Sequence, residues 1–269
     1  MVLALTAWKA ASTNSTEKEV SSKQNNQLLT DSAALINTVA VLDSSLLEIH
    51  FCGDELPLHD AAVARRYQKA VEAFDNPAFK ANRHKVASEL KTINQILKKH
   101  KVPSDFRYVP LIESNFVATA VSPKGAGGYW QLMPETARAL GLRVDATVDE
   151  RRDLIKSTNA AAKYLQWLYG QLGDWTLVAA AYNVGPGKLI KHMDSQKKND
   201  FYQLRLNNET SKYVYKIVAA KEWFNAPTRC REWTSEGFLA KVSEFHSKPN
   251  DIYNEVVSKE NNLVKATTL

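Results

Sequence analysis

Apolar side chains recur at intervals of three and four residues along most of the chain between Asp60 and Phe224. That spacing places them on one face of an α-helix, whereas a half-buried strand requires strict alternation of apolar and polar residues. The sequence contains no series of segments with such alternation. We therefore expect a mainly α fold, with a helical domain between these two residues.

Capping and breaking residues divide the first half of this domain into helices. Asp60 is placed to cap the first helix, and Pro77 opens a second helix that Pro103 stops. Asp105 is expected to cap a third helix, which is apolar on nearly every side and should lie in the core. Glu113 then falls at the end of that helix.

The second half of the domain is divided by similar signals. Further helices are expected to begin at Pro134, to run from Asp149 to Leu172, to follow a cap at Asp174, and to span Glu209 to Phe224. Gly-containing segments close two of them.

The two ends of the chain carry weaker patterns. Residues 1–8 are apolar but lack the charge and length of a signal peptide, so they are either the remnant of an export signal or a tail. Residues 11–29 have the polar composition of a linker or tail. Residues 32–51 are apolar without a clear period and fit either a helix or two short strands. After Pro227 the pattern weakens, which indicates a loosely attached extension.

The composition is that of a soluble globular protein, with a net charge of +6. This charge favours an anionic partner: nucleic acid, anionic lipid or an acidic cell-wall polymer. The basic residues are scattered and form no nucleic-acid-binding motif. Cys52 and Cys230 lack the spacing of a zinc site, and the sequence leaves open a disulfide or two free thiols.

Glu113 is the strongest candidate for chemistry in the sequence. It is flanked by apolar residues, and removal of a carboxyl group from water raises its pKa because the charged form is disfavoured. A carboxyl group with a raised pKa can act as a general acid near neutral pH. The alternative is a structural role, in which Glu113 caps or salt-bridges a helix end.

Three motifs extend this interpretation beyond a single residue. They are IESNFVATAVSPKGAGGYWQLMPETA at residues 112–137, AAYNVGPGKL at 180–189 and ETSKYVYKI at 209–217. Together and in this order they resemble the lytic transglycosylases of the soluble (SLT), goose-lysozyme-like class. The resemblance covers residues 85–224, and the preceding helices are similar to those of the membrane-bound D-type members.

The resemblance implies a lysozyme-like helical fold and an enzyme that acts on peptidoglycan. Such an enzyme cleaves the β-1,4 bond between N-acetylmuramic acid and N-acetylglucosamine without water and forms 1,6-anhydromuramic acid. The implied organisation is a tail or linker at residues 1–55, a helical segment at 56–100, the catalytic domain at 101–226 and an extension at 227–269.

By the same resemblance, Glu113 is the catalytic residue, first acid and then base. Six residues are implied to bind the substrate or to line its groove: Ser122, Tyr129, Gln131, Tyr182, Asn183 and Tyr213. Without the resemblance, each would be interpreted as an ordinary turn, surface or core residue. One segment departs from the common Gly-Leu-Met-Gln: Gly128-Tyr129-Trp130-Gln131 makes the expected sugar-binding wall more aromatic.

The motif contains no second acid near Glu113, so the acetamido group of the substrate is expected to replace the missing nucleophile. No cofactor or metal is implied. The expected partners are peptidoglycan glycan strands and proteins of the cell-wall machinery, not nucleic acid, and the expected location is extracytoplasmic. The sequence leaves membrane attachment open. Two alternatives remain: a goose-type lysozyme that uses water, and a non-catalytic wall-binding protein.

Overall fold

The computed structural model of the protein describes residues 44–247. The predictions for residues 1–8 and 11–29, and for most of 32–51, lie outside this range. Residues 45–247 belong to one structural unit. Within the described range, eleven α-helices accompany one small sheet, so the mainly α prediction is confirmed.

The sheet consists of antiparallel strands β1 (His50–Phe51) and β2 (Asp54–Glu55). The helices are, in chain order, α1 (Ala61–Phe74), α2 (Pro77–Lys85), α3 (Ala87–Lys99), α4 (Val109–Ser114), α5 (Pro134–Ala139), α6 (Leu154–Leu172), α7 (Trp175–Val184), α8 (Pro186–Gln196), α9 (Thr210–Asn225), α10 (Pro227–Trp233) and α11 (Phe238–Ser247). Short 3-10 helices occupy Ser44–Leu46, Ser104–Tyr108, Glu150–Arg152 and Phe201–Gln203.

Several predicted helix starts are confirmed by their caps. The side chain of Asp60 accepts hydrogen bonds from two backbone N–H groups at the start of α1, and Asp174 accepts one at the start of α7. Pro134 lies in the first turn of α5. The predicted helix after Pro77 is two helices, because the backbone at Val86 leaves the helical region and separates α2 from α3.

The prediction that Asp105 caps a helix is wrong. Asp105 lies inside a 3-10 helix, and its carboxylate instead accepts hydrogen bonds from the Cys52 backbone N–H at 2.9 Å and from Lys221 Nζ at 3.1 Å. Helix α4 begins only at Val109, with Pro110 in its first turn, where a missing N–H costs nothing. Asp105 therefore joins the segment before β2 to α9.

The predicted helix from Asp149 also begins later. The side chain of Asp153 caps α6 by accepting a hydrogen bond from the backbone N–H of Lys156. Asp149 precedes the 3-10 helix and its carboxylate binds the guanidinium of Arg151. The capping carboxylate is thus four residues further along than the sequence pattern indicated.

Helix α9 forms the centre of the fold. It packs against α1 on one side and α7 on another, while α3 packs against α6. Almost every residue in the middle of α9 is buried, and the buried residues include the charged pair Lys221 and Glu222. The side chain of Tyr213 at its amino-terminal end points from this core toward α4.

The first part of the predicted extension is not loosely attached. Trp233 on α10 is fully buried, packs edge-to-face on Tyr67 of α1 with ring centroids 4.8 Å apart, and donates its indole N–H to the Leu46 carbonyl at 3.0 Å. Ile49 and Phe51 are also fully buried, although they lie in the predicted tail. Apolar side chains at both ends of the described range thus complete the core around α1. The domain boundaries remain predictions.

Cys52 and Cys230 are both free thiols. Burial raises the pKa of Cys230 to about 12 and raises that of Cys52 still further, so both remain uncharged. No helix within residues 44–247 combines the length and the apolar character that are needed to cross a membrane.

Candidate active site

Glu113 lies in the last turn of α4, where the chain turns sharply. The next two residues, Asn115 and Phe116, both have left-handed backbone conformations, with φ of 49° and 60°. Consecutive non-glycine residues in this region are costly and occur mainly where surrounding structure imposes them. The turn ends the helix directly after Glu113 and leaves its side chain half-buried at the helix end.

The carboxylate of Glu113 is paired with a tyrosine from the centre of the fold. The hydroxyl of Tyr213, which is 2% exposed, donates a hydrogen bond to Glu113 Oε1. Burial raises the pKa of Glu113 to about 7, and the hydrogen bond from Tyr213 opposes this rise because it favours the charged form. Burial also raises the pKa of Tyr213, which keeps it a hydrogen-bond donor.

Two further charges act on Glu113 that the sequence interpretation had missed. The negative charge of Glu209 raises the pKa of Glu113, and the positive charge of Lys216 lowers it. Both lie on the same motif as Tyr213, four residues before it and three after, which is the spacing of one helix face. That spacing could have identified them. The other acid of the motif at residues 112–137, Glu135, lies far along the chain from Glu113, but the fold brings the carboxylate of Glu209 within electrostatic range of Glu113.

The loop after Glu113 is held together by two of the predicted site residues. Ser122 Oγ accepts a hydrogen bond from the backbone N–H of Ala126 at 3.0 Å. The Gln131 backbone is left-handed, with φ of 47°, and its Nε2 donates to the carbonyls of Ala120 at 3.1 Å and Gly128 at 2.9 Å. The amide of Gln131 therefore closes the loop on itself.

Ser114 joins this loop to the helix that carries Glu113. Its hydroxyl lies 3.0 Å from the carbonyl of Pro110 and 2.9 Å from that of Tyr129. The side chain of Tyr129 is half-buried, but Trp130 is fully buried and donates its indole N–H to Thr158. The prediction of a more aromatic wall is therefore wrong for Trp130, whose N–H finds its partner inside the core.

Arg151 is a third residue that sequence reasoning missed. It is 6% exposed, and its Nη1 donates to the loop carbonyls of Gly125 at 2.8 Å and Leu132 at 3.0 Å. Its Nε and Nη2 bind both carboxylate oxygens of Asp149 at 2.9 and 2.8 Å. The buried guanidinium of Arg151 thus binds two loop carbonyls and the Asp149 carboxylate at the same time, which fixes the loop. No local sequence signal indicates partners this distant in the chain.

Helix α7 contributes the remaining two predicted residues. The Tyr182 hydroxyl donates to the Trp130 carbonyl at 2.6 Å, and burial together with the charge of Glu113 raises the pKa of Tyr182. Asn183 Nδ2 donates to Glu209 Oε1 at 3.1 Å, while its Oδ1 accepts from the Thr210 hydroxyl at 2.7 Å. Asn183 therefore attaches the end of α7 to the start of α9.

The structure brings the predicted residues together to different degrees. Glu113, Tyr213 and Tyr182 interact directly or through charge. Ser122, Tyr129 and Gln131 lie on the loop that Ser114 links to α4, and Asn183 is linked to the site through Glu209. Their roles in substrate binding remain predictions. In the part of the chain that the structure describes, no cluster of three or more His, Cys, Asp or Glu residues could hold a metal ion.

Comparison with known proteins matches residues 91–204 to the model of the transglycosylase SLT domain. The chain is 38% identical over 131 residues to the membrane-bound lytic murein transglycosylase D of Escherichia coli (strain K12), covering 47% of this chain and 29% of that protein. It is 44% identical over 98 residues to the peptidoglycan transglycosylase gp16 of Escherichia phage T7, covering 35% of this chain and 7% of that protein.

Among solved structures, the 70 kDa soluble lytic transglycosylase SLT70 from Escherichia coli aligns over 67% of this chain and 32% of its own, with 20% identity and a TM-score of 0.44. This chain spans less than a third of the length of the membrane-bound lytic murein transglycosylase D of Escherichia coli. The resemblance predicted from the three motifs is confirmed by the match to the domain model and by the sequence relatives.

Proposed function

We propose that the protein is a lytic transglycosylase of peptidoglycan, whose residues 91–204 match the transglycosylase SLT domain. It would cleave the β-1,4 bond between N-acetylmuramic acid and N-acetylglucosamine without water and release 1,6-anhydromuramic acid. The observation that carries this proposal is the hydrogen bond from Tyr213 to Glu113 at a site where burial raises the pKa of Glu113 to about 7.

The first step of the proposed reaction uses Glu113 as an acid. With a pKa near 7, a large fraction of Glu113 is protonated at neutral pH, so it can donate a proton to the glycosidic oxygen. The acetamido oxygen of muramic acid attacks the anomeric carbon as the protonated N-acetylglucosamine leaves. This attack by the substrate replaces the second carboxylate that ordinary glycosidases use.

The second step uses the same residue as a base. Glu113, now ionised, takes the proton from the muramic 6-hydroxyl, whose oxygen bonds to the anomeric carbon and displaces the acetamido oxygen. The proton returns to Glu113, the acetamido group is restored, and no water is consumed. A pKa near neutrality suits both roles because neither protonation state is far from its working pH.

Tyr213 and Lys216 would support the ionised form of Glu113 between the two steps. The Tyr213 hydroxyl fixes the position of the carboxylate, and the charge of Lys216 lowers the pKa of Glu113. Burial alone would hold the group in its neutral form. The opposing influences leave an acid that can also serve as a base.

The loop residues have groups available for a sugar. Among the described residues, the hydroxyl hydrogen of Ser122 has no acceptor, so it can donate to the acetamido carbonyl. Likewise Gln131 Oε1 has no donor within residues 44–247, since only Nε2 closes the loop. We assign Tyr129, Tyr182 and Asn183 to the groove around Glu113, with Tyr129 as the residue that packs on a sugar face.

A goose-type lysozyme is the second candidate, and Glu209 is the observation that favours it. A second carboxylate whose charge reaches Glu113 could activate a water molecule, as the general base of an inverting glycosidase does. However, Glu209 already accepts a hydrogen bond from Asn183. The attachment of Glu209 to α7 supports a structural role for it.

Mass spectrometry of the products from purified peptidoglycan distinguishes these candidates. We expect anhydromuropeptides from the wild-type protein and no products from Glu113→Gln. Products that carry the mass of one added water would replace the transglycosylase with a lysozyme. If neither protein cleaves but both bind peptidoglycan, the chain is a wall-binding protein.

The proposed substrate also implies where the protein works. Peptidoglycan lies outside the cytoplasmic membrane, so we place the protein in an extracytoplasmic compartment, where proteins of the cell-wall machinery are expected partners. Detection in the envelope fraction, after fusion to a reporter that is active only outside the cytoplasm, tests this placement. A reporter signal confined to the cytoplasm would contradict it.

A further inference from the structure

A pair of aromatic side chains forms an exposed surface on α6. The rings of Tyr164 and Trp167 are nearly parallel, with 9° between their planes and 5.9 Å between their centroids. Parallel rings this far apart are offset, so together they present a broader flat apolar surface than one ring does. The side chain of Trp167 is 52% exposed. This aromatic surface is therefore accessible to a ligand.

The indole of Trp167 is not part of the core. Leu165 and Leu168 on the core side of α6 are fully buried, whereas Lys163 and Gln171, one turn before and after Trp167, are exposed. An indole that is half in water forgoes much of the burial free energy that a core tryptophan gains. Packing of the core therefore does not account for the placement of this tryptophan.

The polar groups at the rim of this surface are also available. The buried side chains of Trp130, Trp223 and Trp233 each donate the indole N–H to a protein oxygen. Within residues 44–247, the indole N–H of Trp167 and the hydroxyl of Tyr164 have no such partner. A sugar ring carries C–H groups on its faces and hydroxyls at its edge, and C–H groups are attracted to the negative face of an aromatic ring. The surface therefore has the chemistry of a carbohydrate-binding site.

Tyr182 connects this surface to the candidate active site. Its hydroxyl donates to the carbonyl of Trp130 in the loop after Glu113, and the charge of Glu113 reaches its ring. The ring of Tyr182 lies 5.8 Å from that of Tyr164, so Trp167 is at most about 12 Å from Tyr182. Tyr164 and Tyr182 are half-buried and Trp167 is exposed, so all three rings reach solvent. The row of rings thus leads outward from the site along the surface of the protein.

We propose that Trp167 and Tyr164 bind a sugar ring of the glycan strand, at a subsite away from the bond that is cleaved. The inference rests on the proposed function, because a long strand whose cleaved bond lies at Glu113 extends beyond the sugars next to that bond. Stacking uses the face of a sugar ring, so this subsite recognises the glycan itself. It would favour long strands over short fragments.

Binding of chitohexaose, a chain of β-1,4-linked N-acetylglucosamine, tests the subsite separately from catalysis. Calorimetry on Glu113→Gln as the parent protein avoids cleavage of the ligand. We expect Trp167→Ala in this parent to bind chitohexaose roughly tenfold more weakly, as for loss of an aromatic ring that stacks on a ligand ring. Trp167→Tyr keeps an aromatic face and should bind more tightly than Trp167→Ala. The disaccharide chitobiose is too short to occupy the active site and this subsite together, so the parent and Trp167→Ala should bind it equally.

Ile155→Ala is the matched control for loss of an exposed apolar side chain. Ile155 is 58% exposed and precedes Tyr164 by nine residues on α6. Nine residues are about two and a half helical turns, so Ile155 lies on the opposite side of the helix from Tyr164. This variant should bind chitohexaose as the parent does. Thermal melts verify folding, and Trp167 is exposed enough that its loss should leave the fold intact.

Three binding results would overturn the subsite. They are failure of the parent to bind chitohexaose, equal binding of chitohexaose by the parent and Trp167→Ala, and equal weakening of chitobiose and chitohexaose by Trp167→Ala. Sedimentation tests whether the surface instead binds a second copy of the chain. A dimer that Trp167→Ala converts to a monomer, with no change in chitohexaose binding, would replace the sugar with that copy.

Activity measurements separate this inference from the proposed function. On long glycan strands, Trp167→Ala in the otherwise wild-type protein should raise KM with little change in kcat, whereas on short fragments it should behave like the wild type. Wild-type cleavage of long strands that Trp167→Ala leaves unchanged would remove the subsite alone. Chitohexaose binding that depends on Trp167, in a protein that cleaves no peptidoglycan, would remove the proposed function alone.

Discussion

Tyr213 on α9 donates a hydrogen bond to Glu113 on α4, across a separation of 100 residues in the sequence. The bond connects the most buried helix of the fold to the end of a short helix at the candidate active site. Because a hydrogen bond to a carboxylate stabilises its charged form, Tyr213 restrains the rise in the pKa of Glu113 that burial causes. The effect of Tyr213 on the pKa of Glu113 can be measured through the pH dependence of activity.

Tyr213→Phe should raise the pKa of Glu113 further, because it removes a hydrogen bond that favours ionisation. If protonated Glu113 is the acid, activity declines as pH rises through its pKa, so this decline should move to higher pH in the variant. We also expect kcat to fall, on the order of 100-fold, since the carboxylate loses its positioning donor. Rates of anhydromuropeptide release between pH 5 and 9 provide the measurement.

Tyr169→Phe is the matched control for this substitution. Tyr169 stacks on Trp175 with ring centroids 4.2 Å apart and has no contact with Glu113. Its pH profile should coincide with that of the wild type. A Tyr213→Phe profile that declines at the same pH as the wild type would remove Tyr213 from control of Glu113.

Glu113→Gln should stabilise the fold above neutral pH while it abolishes activity. The pKa of Glu113 rises from 4.5 to about 7 on folding, so the folded state binds more protons and its stability falls as pH rises between these values. The neutral amide of the variant avoids this loss of folding stability, which reaches about 3 kcal/mol at pH 8. At pH 4 the two proteins should differ little. Urea unfolding at both pH values measures the difference, and an equal gap at pH 4 and pH 8 would contradict the pKa assignment.

The sequence could predict the helices and the pair at the centre of the site. Asp60 and Asp174 follow simple capping rules, and the motif around Tyr213 identifies that residue without any structure. Asp105 and Trp130 could not be interpreted correctly, because their partners are Lys221 and Thr158, and only the fold determines those distant contacts. Local signals predict what a residue can do, whereas tertiary packing decides which option it takes.

Arg151 escaped prediction for the same reason, since it binds backbone carbonyls that carry no sequence signal. Arg151→Ala should lower the free energy of unfolding by roughly 3 kcal/mol, because it breaks the buried ion pair with Asp149 and frees two loop carbonyls. Asp149 then keeps only a longer contact, at 3.6 Å, with the half-exposed Arg152. Chemical denaturation followed by tryptophan fluorescence measures this loss.

Arg143→Ala is the control for the buried pair. Arg143 pairs with Asp145 on the same segment, but both side chains are largely exposed, at 59% and 42%. An exposed pair of this kind contributes little to stability, because water and salt screen its charges. If both substitutions destabilise the protein equally, burial does not explain the role of Arg151.

Gly128→Ala should disrupt the loop that carries the predicted substrate-binding residues. A Cβ at Gly128 would lie 1.9 Å from the backbone carbonyl oxygen of Arg151, and φ of +75° already disfavours any side chain. Gly125→Ala shares the unfavourable φ, at +87°, but its Cβ would meet nothing within 4 Å. We expect Gly125→Ala to cost about 1–2 kcal/mol and Gly128→Ala to cost at least about 2 kcal/mol more. The Gly128 carbonyl also accepts a hydrogen bond from Gln131, so the folded fraction of Gly128→Ala should release anhydromuropeptides more slowly than the wild type. Equal stability and equal activity of the two variants would show that the close approach of Gly128 to Arg151 does not shape the loop.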